Sequence, residues 1–176
     1  MFLQISLDIE LATVSPIIIN GLPRRAGDLH PGNAVDPTSL QLDTMFSTTA
    51  QKIVSAYNSA AIKQGRCEVK QGDVSALTLP EGKYDLATAF ETIYFWPGLK
   101  ECFAQVAKVL KPGGTFMIVN ESDGMDETSL KYEKIIGGMK CHTVEEIEGA
   151  LKEAGFNKVK SDHHKGKPWI TVIARK

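Results

Sequence analysis

KYDLATAFE, residues 83–91, decides the fold. From Tyr84 to Phe90 the run is apolar enough for a strand buried in the middle of a sheet. Beyond Trp96 the period changes: Leu99, Cys102, Phe103, Val106, Val109 and Leu110 recur at three- and four-residue spacing, the mark of an amphipathic helix. Lys111-Pro112-Gly113-Gly114 reads as the stop of that helix, since proline and glycine cannot continue it. TFMIVN, residues 115–120, then supplies a second strand. Strand, helix and strand in this order imply parallel neighbours. Open sheets of this kind bind ligands beyond the carboxyl ends of their strands, so Phe90 and Glu91 leave the first strand on the ligand side. Glu91 is either a cap for the next turn or a group facing a substrate. Asp85, at the opposite end, reads as structural.

The alternation continues toward the C-terminus. Thr143-Val-Glu-Glu146 has the form of a capping box and opens a helix with Ile147, Leu151 and Ala154 on one face and Gly155 at its end. Strands come next at about 158–162 and 169–174. HHKGKP between them is too short for a crossover, which makes this pair antiparallel. Residues 120–138 read as polar and irregular until about Leu130 and Ile135.

Upstream, a strand is expected at 67–70, followed by Gln71-Gly72-Asp73-Val74. Asp73 there either accepts hydrogen bonds from an amino group of a bound base or caps its own loop. Phe46, Ala50, Ile53, Val54, Tyr57 and Ala61 form a helical stripe ended by Gly65. Residues 10–43 contrast with all of this. They hold four of the eight prolines and several turn dipeptides, so 20–40 is expected to be loop. Before them, Leu3, Ile5, Leu7 and Ile9 alternate with polar residues as a first strand would, yet Glu10-Leu-Ala-Thr13 comes after it with no glycine.

The 176 residues suit one domain spanning 1–176. With 20 basic and 21 acidic residues the net charge is −1, which gives no general attraction to nucleic acid or anionic lipid, and neither is an expected partner. Cys67, Cys102 and Cys141 lack paired spacing, so neither disulfides nor a metal site is expected. No apolar run approaches the roughly 18 residues of a membrane span. A cytoplasmic protein is the expectation.

QGD with LP shortly after it, then KYDLATAFETIYFW, then FAQVAKVLKPGGTFMIVNE, in this order and spacing, resemble the class I S-adenosylmethionine-dependent methyltransferases, in particular the small-molecule type 11 branch. The resemblance covers about residues 61–176. It implies a Rossmann-like, doubly wound, mostly parallel α/β sheet with helices on both faces and an antiparallel strand at the C-terminal end. It also implies S-adenosylmethionine as cofactor and a small molecule as methyl acceptor. By the same resemblance, Asp8 ends the first strand, Asp43 receives the ribose hydroxyls, Asp73 contacts the adenine amino group and Val74 the ring. Phe90 and Glu91 line the methyl end. No general base is assigned; His142, His163 and His164 are candidates by residue type only, and Tyr94, Phe95 and Trp96 either line the pocket or pack the fold.

The family opens its domain with a strand and a glycine-rich turn, and Glu10-Leu-Ala-Thr13 does not match that turn. Either residues 10–43 are a diverged insertion or the coding sequence was rearranged there. The alternative function is accordingly a catalytically degenerate, methyltransferase-like protein acting through association. Self-association is expected if one face of the sheet is bare.

Overall fold

A computed structural model describes residues 15–21, 38–42, 55–56, 58–65 and 67–176. Strands β1 (Ser15–Gly21), β2 (Thr38–Leu42), β3 (Cys67–Gly72), β4 (Tyr84–Phe90), β5 (Leu110–Asn120), β6 (Lys158–His163) and β7 (Ile170–Arg175) form one sheet in the order β3-β1-β2-β4-β5-β7-β6. The helices are α1 (Ser59–Lys63), α2 (Leu99–Val109), α3 (Glu127–Ile135) and α4 (Val144–Glu153). β2, β4 and β5 are parallel neighbours, and β1 and β7 run against them. Five of the seven strands therefore share one direction, and the antiparallel β6–β7 pair closes the sheet. This is an α/β fold with a mostly parallel sheet.

Two local expectations are corrected. Residues 20–40 are not all loop: Asn20 and Gly21 belong to β1, while Thr38 to Leu40 belong to β2. The run Ile17-Ile18-Ile19 is β-branched and suits a strand, and the turn residues that dominate the composition lie between β1 and β2. The proposed strand at 3–9 lies outside the described residues, and the parallel neighbour of β4 on that side is β2. The second correction concerns Lys111-Pro112-Gly113-Gly114, which lies inside β5 and not before it. Tyr84 pairs with Leu110 and Leu86 with Thr115, so one residue of β4 faces four of β5. The proline and glycines occupy a bulge in the β4–β5 pairing, while on the other side Gly113 and Gly114 bond the backbone of Lys176.

Among the described residues, the core forms on one sheet face. Ala87 and Ala89 of β4, Phe116 and Ile118 of β5 and Val172 and Ala174 of β7 alternate inward to meet Phe103 and Val106 of α2 and Ile147 and Leu151 of α4. Phe103, Phe116 and Trp96 pack ring on ring, with centroids 5.6 to 6.3 Å apart. Burial of each such side chain stabilises the fold by about 2 kcal/mol. Trp96 thus packs the fold. The capping box of α4 is formed as read: Thr143 Oγ1 accepts from the Glu146 N–H at 3.2 Å, and Glu146 Oε2 accepts from the Thr143 N–H at 3.0 Å.

Candidate functional site

The carboxyl ends of β4 and β5 lie side by side, and both chains turn there at once. Glu91, the first residue past β4, has φ +55, a left-handed conformation uncommon for a residue with a side chain. Holding it costs on the order of 1 kcal/mol, so its surroundings must enforce it. They do so from both ends of the residue. Its backbone N–H donates to the Val119 carbonyl at 3.0 Å. Its carboxylate accepts from the Glu121 N–H at 2.5 Å and from the Tyr94 hydroxyl at 3.3 Å. Tyr94 is buried, and its hydroxyl oxygen accepts in turn from the Ser122 N–H at 3.2 Å. Tyr94 therefore does not stand as a pocket wall; it bolts the loop after β4 to the loop after β5.

Burial pushes the Glu91 carboxyl up to about 7, against the opposing hydrogen bond from the Glu121 N–H. A carboxyl that titrates near neutrality can take up a proton and release it again. The Tyr94 hydroxyl is raised far beyond its ordinary range, first by its own burial and then by the Glu91 charge, so it keeps its proton at any ordinary pH.

The loop after β5 is fixed by its own acids. Asp123 Oδ1 accepts from the N–H groups of Met125 and Asp126, while its Oδ2 lies 2.9 Å from His163 Nε2. Asp126 caps α3 by accepting from the Ser129 N–H at 2.8 Å and takes the Ser122 hydroxyl at 2.9 Å. For both acids, burial would raise the pKa, and these hydrogen bonds outweigh it and hold them below the usual carboxylate range. Gly124, with φ +75, lies so close to the His142 backbone that a Cβ would come within 2.5 Å of it.

Two buried side chains at this edge carry polar atoms without a protein partner, although His142 Nδ1 lies 3.7 Å from Glu146 Oε2. Neither amide atom of Asn120 is hydrogen-bonded, nor is Nε2 of His142. Asn120 shares its strand face with Phe116 and Ile118, toward α4, and His142 immediately precedes the α4 cap. Burial, and then Lys140, hold His142 below its ordinary pKa, so it is neutral and able to accept or donate one hydrogen bond. Buried groups of this kind are normally answered by water or by a ligand.

Asp73 and Val74 lie just past β3. Asp73 is exposed, and its Oδ1 accepts from both the N–H and the hydroxyl of Ser75, at 2.8 and 2.7 Å. It caps the 3-10 turn Val74–Ala76, and Val74 is buried beneath it. Phe90 is half-buried at the end of β4. The structure thus brings Phe90 and Glu91 together with Tyr94, Asn120 and Ser122, and sets Asp73 and Val74 apart from them, in the turn just past β3. Asp8 and Asp43 lie outside the described residues. His163 is paired with Asp123, and the His164 ring packs on Trp169 at 5.4 Å. Among the described residues no group of three His, Cys, Asp or Glu side chains could hold a metal ion.

Asn120 and Ser122 were not singled out by the sequence, and Tyr94 was named only as either lining the pocket or packing the fold. The signal for Tyr94 is its spacing, three residues after a carboxylate at a strand end. Asn120 carries a clearer one, a polar residue closing the apolar run TFMIV.

A family model described as a methyltransferase domain matches residues 37–118. In this segment and in its fold the chain is similar to the class I S-adenosylmethionine-dependent methyltransferases. The match begins just before β2, earlier than the stretch from residue 61 that carries the motifs, so Asp43 falls within it and Asp8 outside. Among curated relatives, the sterol 24-C-methyltransferase of Neurospora crassa is 26% identical over 123 residues, covering 62% of this chain and 32% of that protein. That of Saccharomyces cerevisiae is 31% identical over 101 residues, covering 52% and 26%. The chain spans about a third of the length of the curated relatives it matches. A solved S-adenosylmethionine-dependent methyltransferase of Thermotoga maritima superposes with TM-score 0.53 at 18% identity, covering 60% of this chain and 62% of that one. Haemonchus contortus phosphoethanolamine N-methyltransferase 2, solved with S-adenosylhomocysteine, does so with TM-score 0.53 at 14% identity, covering 61% and 37%.

The residues fit this cofactor in part. Asp73 exposes a carboxylate just past β3, with its Oδ1 already engaged by Ser75, and Glu91 holds a half-buried one just past β4. The sequence that follows β2 fits less well, since residues 43–64 contain no glycine to let backbone approach a ligand.

Proposed function

We propose that the chain binds S-adenosylmethionine across the carboxyl ends of β2, β3 and β4 and transfers its methyl group to a small apolar molecule, with Glu91 as the proton acceptor. When bound, the cofactor supplies an electrophilic methyl on a sulfonium. Transfer of that methyl to an acceptor would leave the bonding electrons on sulfur, as S-adenosylhomocysteine. The proton that the acceptor loses goes to the Glu91 carboxylate. The chain's part is to hold the two reactants in line and to present the base, which is where such a displacement gains most. Asp73 receives the adenine amino group on the carboxylate it presents at the edge, and Phe90 walls the methyl end. The observation that carries the reading is Glu91, strained, half-buried and titrating near 7 at the ligand edge of a methyltransferase sheet. The sterol methyltransferases among the relatives support an apolar acceptor. Buried free thiols at Cys102 and Cys141 support a reducing compartment, the cytoplasm.

The glycine-free stretch 43–64 favours the second reading, a methyltransferase-like protein that no longer binds the cofactor. Thermal unfolding with and without S-adenosylhomocysteine separates the two. Ligand at about 100 times its dissociation constant adds roughly 2.7 kcal/mol, and Asp73→Ala should weaken the effect. A folded chain whose midpoint does not move at saturating ligand would leave only the second reading standing.

A further inference from the structure

Two consecutive amides of the loop after β5 hold Glu91, one directly and the other through a side chain. The Glu121 N–H donates to its Oε1 at 2.5 Å. Its Oε2 accepts the Tyr94 hydroxyl at 3.3 Å, and the Tyr94 oxygen accepts the Ser122 N–H at 3.2 Å. Chemistry fixes the direction of this second chain. An amide N–H can only donate, so of these two partners only Glu91 can take the hydroxyl proton of Tyr94. Accepting from Ser122 polarises the hydroxyl and strengthens its donation.

Tyr94 is placed for this from three sides. It belongs to the 3-10 turn Ile93–Phe95 and follows Glu91 by three residues, a spacing at which side chains of a tight turn lie over one another. Its side chain is buried, and its backbone carbonyl accepts the Lys140 N–H at 2.8 Å. Lys140 lies in the stretch that leads into α4. The loop after β4, the loop after β5 and the approach to α4 therefore meet at one residue, whose hydroxyl touches the carboxylate.

The groups acting on Glu91 oppose one another. Burial, and then the Glu121 carboxylate, favour its protonated form, while the Glu121 N–H and the Tyr94 hydroxyl favour the ionised one. The Cys141 thiol also interacts with both Glu91 and Tyr94, and its own burial pushes it up, so it stays neutral. Tyr94 keeps its proton, so it neither takes one from Glu91 nor passes one on.

We propose that Tyr94 is a positioning residue of this site: its hydroxyl carries the pull of the Ser122 amide to Glu91 and keeps the carboxylate ionised and aimed for the proton it is to accept. The inference rests on the reading of Glu91 as proton acceptor. It adds that the base is set by the loop after β5, through a residue that takes no part in the proton transfer itself. A tyrosine kept only to fill its space would leave Glu91 indifferent to the hydroxyl.

Carbon-13 NMR of the full chain carrying carboxyl-labelled glutamate follows the titration of Glu91 without cofactor or acceptor, its signal assigned by its loss in Glu91→Gln. In Tyr94→Phe the midpoint should rise by about half to one pH unit, three- to tenfold in proton affinity, because the ionised form loses a donor. That variant also strips the Ser122 N–H of its acceptor and should unfold more readily. A second substitution covers the case in which it does not fold: 3-fluorotyrosine incorporated at Tyr94 keeps both hydrogen bonds and makes the hydroxyl a stronger donor, so the midpoint should fall. Opposite shifts are what a packing role cannot produce. In methyl-transfer assays the acid limb of kcat/KM against pH should move with each midpoint. Midpoints that stay where the parent's lies, or that move the same way in both variants, would overturn the inference. Unmoved midpoints in a chain that transfers methyl groups count against Tyr94 alone, and opposite shifts in a chain that transfers none count against the methyltransferase reading alone.

Discussion

At the ends where β4 and β5 begin, polar groups close on one another. Lys111 Nζ lies 2.9 Å from both carboxylate oxygens of Asp85, Lys176 Nζ donates to the Leu110 carbonyl at 2.8 Å, and the Gly113 N–H and Lys176 carbonyl meet at 3.0 Å. Where the same strands finish, Glu91 has φ +55 and a half-buried, raised carboxyl, and the Asn120 amide is buried without a protein partner. One pair of strands therefore carries two kinds of chemistry: interactions that stabilise at one end, and strain and unanswered polarity at the other. Groups held at a cost are the ones a ligand or a reaction can use.

The sharpest way to break that contrast uses one glycine from each end. Gly113 and Gly124 share the same backbone conformation, φ +74 and φ +75. Around Gly113 a Cβ meets nothing within 4 Å, while at Gly124 it falls 2.5 Å from the His142 carbonyl carbon. Gly124→Ala should therefore cost roughly 3 kcal/mol or more, and Gly113→Ala only the conformational penalty of about 1 kcal/mol. Urea unfolding of both variants measures the difference. Equal losses would mean that the loop after β5 yields freely and does not fix Glu91.

Next in size is the pH response of Glu91. Its folded pKa, about 7, lies above the ordinary 4.5, so the folded state holds the proton more tightly than the unfolded chain. Its contribution is greatest below about pH 4.5 and is lost as pH rises through 7, by roughly 2 to 3 kcal/mol after allowance for its partial exposure. Glu91→Gln should flatten this slope. The variant should match the parent's unfolding free energy in acid, exceed it at pH 8, and transfer no methyl groups. A gain in stability with a loss of activity is the signature of a residue kept for function. A variant no more stable than the parent at pH 8 would show that the ionised carboxylate costs the fold nothing.

The two ends also differ in how plainly the sequence announces them. The central strands, the two amphipathic helices and the capping box at Thr143 are legible from periodicity and local chemistry. Elements that bury little are not: α3 hides no side chain, so it has no apolar stripe, and its only local signal is Asp126 three residues before Ser129. Lys111-Pro112-Gly113-Gly114 misleads because a bulge and a helix stop call for the same residues. At the site, Glu91 could be named from its place at a strand end. Its strained backbone and its tie to Glu121 could not, since they depend on a contact between residues thirty apart in the chain.

The smallest effect expected lies at the quiet end. Asp85 and Lys111 form a geometrically good pair, but their side chains remain about one-third exposed, 35% and 32%. Water screens such a pair, and measured values for exposed pairs fall near 0.2–1 kcal/mol. Asp85→Asn should lower stability by about 0.5 kcal/mol and leave a lysine able to turn into solvent. The loss should shrink as salt rises, because screening weakens the parent's pair and has little to act on in the variant. Cofactor binding should not change, since the substitution lies a full strand length from Glu91. Denaturation at low and high salt, alongside titration with S-adenosylhomocysteine, reads both quantities on one protein. A change in ligand affinity would mean that the two ends of β4 are mechanically coupled, and that the strain at Glu91 depends in part on the pairing at the strand's beginning.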